Sequence, residues 1–116
     1  MVENLTAAQK QQIADYQRLQ QSLATLLESK AQLQRDLSQV NSALEYLEKN
    51  PGKTVYKRVG VLMIQASPDD LKNELTEKKE SLEKYIQRLD VQIKSVQKKM
   101  KKIEDDLKAS MTPSAG

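Results

Sequence analysis

The sequence has no cysteine, histidine, tryptophan or phenylalanine, and its 116 residues include only three glycines and three prolines. Without Cys there is no disulfide and no thiol nucleophile; without His the commonest zinc ligand and the best proton shuttle near neutral pH are missing too. The four aromatic residues are all Tyr. No apolar run approaches the roughly 18 residues needed to cross a bilayer, and no signal peptide opens the chain. The glycines stand at 52, 60 and 116, so no Gly-rich phosphate loop can form. These absences predict one soluble, intracellular domain with a modest core, no catalytic residue, no metal and no cofactor, and they speak against an enzyme.

What the chain does have is charge and heptads. Charged residues make up 30%, and the formal net charge is +3. Residues 1–50 carry five basic and six acidic residues, residues 51–116 fourteen and ten. The basic excess gathers at Lys94, Lys98, Lys99, Lys101 and Lys102. On a long helix with interleaved acids such a run reads as a solvated face, with nucleic-acid binding the lesser reading. Asp69/Asp70 and Asp105/Asp106 read as capping and solubility residues rather than a catalytic or metal pair.

Apart from Pro68 at the very start of the second, all glycines and prolines fall outside two stretches, 6–49 and 68–110, which predicts two long helices. Thr6 with Gln9 is a capping box, and Asn50-Pro51-Gly52 breaks the first helix. Ser67 as N-cap, Pro68 in the first helical position and the two following aspartates start the second. Residues 111–116 are expected to be a disordered tail. Within each stretch apolar residues recur every seven: Tyr16, Leu23, Leu37 and Leu44 in one phase, Leu19, Leu26, Leu33, Val40 and Leu47 in the other. The second helix repeats this with Ile86, Ile93, Met100 and Leu107 beside Leu75, Leu82, Leu89, Val96 and Ile103. Heptads sustained this long specify a coiled coil. At 1.5 Å per residue each helix would be about 65 Å long.

Folding the chain back on itself pairs residues whose numbers add to 119, Leu44 with Leu75, Leu33 with Ile86, Leu19 with Met100 and Tyr16 with Ile103. Registers adding to 112 or 126 suit the heptads equally; 119 is favoured because its centre falls inside the connector. Two layers then hold a lysine, Lys30 opposite Leu89 and Lys79 opposite Val40, whose stems can snorkel. Tyr46 and Tyr85 are expected along the coil.

The connector reads as a β-hairpin over 53–66, with Lys53–Lys57 and Val61–Gln65 as strands. A three-residue loop with Gly60 in the left-handed position would set Lys57 opposite Val61, Tyr56 opposite Leu62 and Val55 opposite Met63. Val61-Leu62-Met63-Ile64 is apolar on both faces, and an isolated two-stranded ribbon is marginal in water. Val55, Tyr56, Val61, Leu62, Met63 and Ile64 are therefore the candidate oligomerisation residues, closing a sheet or barrel with other copies or relatives. The alternative is a hairpin folded onto its own helix ends.

Two long helices around this segment, with Val55-Tyr56-Lys57 and Gly60-Val61-Leu62-Met63-Ile64 in the linker and Tyr16-Gln17-Arg18-Leu19-Gln20-Gln21 in the first helix, resemble the β-type subunit of prefoldin over residues 8–110. The resemblance implies a mainly α, antiparallel coiled-coil hairpin whose central β-hairpin joins an intersubunit β-barrel. It also implies the partners: two α-type subunits with four β-type copies, unfolded client proteins and a group II chaperonin, with neither nucleic acid nor membrane. Such a particle holds unfolded proteins without ATP and passes them on. Within that frame Leu5, Ile13, Leu107 and Met111, apolar groups near the far ends without an evident intrachain partner, are candidate client contacts; the alternative is that they zip the coil to its end. A scaffolding coiled coil that merely oligomerises through its hairpin is the competing function.

Overall fold

A computed structural model of the chain describes residues 4–111. The order of elements is α1 (Ala7–Lys49), β1 (Val55–Val59), β2 (Leu62–Ala66) and α2 (Pro68–Met111). Residues 112–116, most of the expected tail, lie outside the described residues, and Met111 is the last residue of α2. No described helix is long and apolar enough to cross a membrane.

Local chemistry sets the helix ends. The Thr6 backbone N–H donates to Gln9 Oε1 at 2.9 Å, and the Gln9 N–H donates back to Thr6 Oγ1 at 3.0 Å. This reciprocal capping box satisfies two donors that a helix start leaves open. At the other end of α1, the Asn50 backbone N–H and side-chain Nδ2 both donate to the Tyr46 carbonyl. The chain then turns through Pro51 and Gly52, the latter at φ +77°, with the Lys53 N–H returning to the Asn50 carbonyl. Proline followed by a left-handed glycine is the type II arrangement, in which only Gly escapes a Cβ clash. Ser67 caps α2 through the Asp70 N–H at 3.4 Å, with Pro68 in the first turn, where its missing N–H costs nothing.

The chain forms two compact units. The terminal unit holds Met1–Lys30 and Arg88–Gly116; the central unit is Ala31–Gln87. Within the terminal unit the helices run antiparallel: Gln9 Nε2 donates to Ser110 Oγ at 3.0 Å, the Tyr16 hydroxyl donates to Glu104, and Lys30 Nζ meets Asp90 Oδ1 at 2.6 Å. These partners' numbers add to 119 or 120, so the register is the one centred on the connector. Ile93 is buried here and Leu19, Leu23, Leu26, Val96 and Met100 are half-buried, the pattern of a two-helix seam with one wall open. Lys30 keeps its stem in the seam and carries its ammonium sideways to Asp90, which is how a cation tolerates that layer. The central unit buries Val40, Val55 and Leu82, with Lys79 half-buried.

The hairpin departs from its expected register. Val55 pairs with Ala66, Tyr56 with Gln65, Lys57 with Ile64, Arg58 with Met63 and Val59 with Leu62. Val59 thus belongs to β1, and the turn is the two residues Gly60-Val61 rather than a three-residue loop. Gly60 has φ +61°, and among the described residues no non-glycine residue has a positive φ. A type II′ turn asks for positive φ only at its first central residue, so Gly60 meets the demand and Val61 stays in its ordinary region. The register moves by three from Val55–Met63 to Val55–Ala66, an odd shift that exchanges the faces of β2 relative to β1. Leu62 and Ile64 therefore share a face with Val55 and Val59, and Met63 shares the other with Tyr56 and Arg58.

Candidate functional site

Exposure along the hairpin climbs from base to tip. Val55 is 9% exposed and Ala66 half-buried, whereas Val61 is 95% exposed. Between them Tyr56, Val59, Leu62, Met63 and Ile64 all keep about half or more of their surface in solvent. The base is held by the chain's own helix ends: Val55 shares an apolar groove with Ala43, Tyr46, Leu47, Leu71 and Leu75, and Lys57 forms an ion pair with Glu74 of α2. Tyr56 and Met63 also line that groove while keeping more than half of their surface in solvent, and Val59, Val61, Leu62 and Ile64 stand outside it.

The outer part of the hairpin is a surface that gains free energy by being covered. Six of the eleven exposed large apolar side chains among the described residues lie in β1, the turn and β2. Burying one such Leu, Ile or Val against a neighbour is worth about 1.5–3 kcal/mol. Both long edges of the two-stranded sheet also keep backbone groups available for further strands. Of the six candidate oligomerisation residues, Val55 is used inside the chain, while Tyr56, Val61, Leu62, Met63 and Ile64 are displayed. Val59 was not among the candidates, because the three-residue loop would have taken it out of the strand. Its place opposite Leu62, half exposed, adds it to the display.

The far-end candidates are distributed over the terminal unit. Leu5, Ile13 and Leu107 are half-buried, and Met111 is exposed. Two polar contacts cross the seam near them, Gln9 with Ser110 and Tyr16 with Glu104. The Glu104 hydrogen bond, then desolvation and then the Glu104 charge hold the Tyr16 phenol above its ordinary titration range. The Gln9–Ser110 pair occupies a seam layer at this end, and of the four candidates Met111 is the exposed one.

Of the paired acids, Asp69 and Asp70 stand in the first turn of α2, where the helix dipole favours them, and Asp105 faces Lys101 at 3.5 Å. Among the described residues no three His, Cys, Asp or Glu side chains gather as a metal site would require.

Comparison with known proteins gives one answer by three routes. The sequence matches the prefoldin subunit family over residues 10–113. It is 34% identical over 105 residues to the prefoldin subunit beta of Archaeoglobus fulgidus, covering 90% of each chain. It is 32% identical over 113 residues to the corresponding protein of Thermococcus gammatolerans, covering 97% of each. The crystal structure of the prefoldin beta subunit from Thermococcus strain KS-1 superposes with a TM-score of 0.89 at 28% identity, over 95% of this chain and 97% of that one.

Proposed function

The chain belongs to the prefoldin family as a β-type subunit, a chaperone component, and from that premise we propose that its hairpin closes an intersubunit β-barrel while its helix ends hold unfolded proteins. The partners are two α-type subunits with four β-type copies, and the assembled particle passes its clients to a group II chaperonin in the cytoplasm. The observation that carries the assembly half is the gradient of exposure along the hairpin, from an anchored Val55 to a bare Val61. A ribbon of this kind gains free energy when neighbouring strands cover it, and it loses none of its own anchoring, which resides at the base.

Holding a client asks for adaptable apolar surface and no chemical step. Leu5, Ile13, Leu107 and Met111 supply it at the ends of the two helices, with Met111 exposed and conformationally soft. Capture and release then follow from weak, multiple apolar contacts rather than from nucleotide hydrolysis.

The test is co-expression with an α-type subunit, followed by particle mass and by suppression of aggregation of a denatured client without ATP. The expected result is a hexamer that protects. Replacing Ile13, Leu107 and Met111 with Ser should leave the mass unchanged and weaken protection severalfold. Undiminished protection by that variant would reject the far-end surface. A chain that stays monomeric beside its partner would reject the assembly and favour a scaffolding role.

A further inference from the structure

We propose that the terminal unit carries a second client surface, a groove along its side that takes segments combining carboxylates with apolar side chains; this rests on the chaperone reading above. The groove lies between the two helices of that unit. Its first stretch has Leu26, Val91 and Val96 as apolar lining, with Arg18 and Lys99 at the rim. Past Ser22 it continues over Leu19 and Ile103, where Lys102, Asp15 and Asp106 join the walls. Lys98 and Lys101 flank the end of it with Asp105.

Three observations give the groove its chemistry. The whole net charge of +3 belongs to this unit, which has ten basic and seven acidic residues against nine of each in the central unit. Much of that charge is unspent: Lys101 pairs with Asp105 and Arg18 with Asp15, but Lys94, Lys98, Lys99 and Lys102 have no carboxylate partner among the described residues. At the flank of a coiled-coil seam a lysine ordinarily meets an acid on the other helix; the α1 acid lining this groove with Lys99 is Asp15, which is taken by Arg18, and Ser22 beside it offers no charge. The third observation is Val91, 69% exposed on the outer side of α2, off both heptad phases and so of no use to the seam. Short Ser22, Thr25 and Ser95 leave the wall open beside it. An apolar floor with unpaired ammonium groups on one rim is complementary to a non-native segment in which Leu, Val or Phe alternates with Glu or Asp. A bare polyanion would use the lysines but not the floor.

The test uses the assembled particle and two synthetic peptides with identical apolar residues, one carrying Glu and the other Lys at the polar positions. Fluorescence anisotropy should find the Glu peptide bound about tenfold more tightly at low salt, the advantage shrinking as salt rises. The combined substitutions Lys98→Gln, Lys99→Gln and Lys102→Gln should abolish the preference, and Lys99→Gln alone should remove part of it, with particle mass and protection of a charge-neutral client unchanged. Val91→Ser should weaken both peptides. Equal binding of the two peptides, a preference that survives the triple substitution, or an oligonucleotide binding more tightly than the Glu peptide would overturn the groove alone. A particle that fails to protect the neutral client overturns the chaperone reading, and the groove with it.

Discussion

The twelve residues from Val55 to Ala66 leave six large apolar side chains in solvent, while the whole terminal unit, among its described residues, leaves three: Leu27, Val91 and Met111. The hairpin concentrates apolar surface on a ribbon whose register and turn are fixed, so it suits a partner of one definite shape. The terminal unit spreads a little apolar surface among lysines and amides, so it suits partners of no definite shape. Under the proposed function, assembly and client holding would fall to different stretches of one chain, and a substitution in one should spare the other.

The strongest way to break this contrast is Leu62→Asp with Ile64→Asp. Two carboxylates on the displayed face would each forfeit about 2 kcal/mol of apolar burial and add a desolvation cost. Mass measurement should find monomers with the helical circular dichroism intact; persistence of the hexamer would mean the hairpin is not the contact.

A second change sharpens the other side. Leu82→Ala and Ile93→Ala remove buried seam residues and should each lower stability by about 2–4 kcal/mol in denaturant titration. Both positions lie off the hairpin, so assembly of the folded fraction should survive. Smaller still is Gly60→Ala. Nothing lies within 4 Å of the added Cβ, so the cost is the left-handed backbone alone, about 1 kcal/mol. A larger loss would place a neighbour's backbone against the turn.

The smallest effect belongs to Tyr16. Its phenol titrates above the ordinary value of about 10 because the protonated form donates to Glu104. A group whose folded pKa is raised contributes stability that is complete below the unfolded value and disappears as pH rises through the folded one. Stability should therefore show a slight alkaline decline that Tyr16→Phe removes, read from melting temperature against pH.

Much of this architecture could be read from residue order. Thr6 with Gln9, and Ser67 before Pro68, mark helix starts by local hydrogen bonding alone. The register was legible because its centre had to fall in the connector, and Gln9 with Ser110 sits on it. The hairpin turn was not legible, because the expected three-residue loop and the observed Gly60-Val61 turn both place Gly60 at positive φ; Val59-Leu62 pairing separates them, and ladder pairing is nonlocal. The groove was hidden for a related reason. Val91 stands outside the heptad phases, and only the fold brings Ser22 and Lys99 to the same wall.

Hydrogen exchange at the amides of β1 and β2 addresses the central claim most directly, measured for the chain alone and for the chain assembled with an α-type subunit. The account predicts rapid exchange toward the Val61 tip in the lone chain and protection by orders of magnitude once the particle forms. Exchange that stays fast inside a particle of full mass would contradict it.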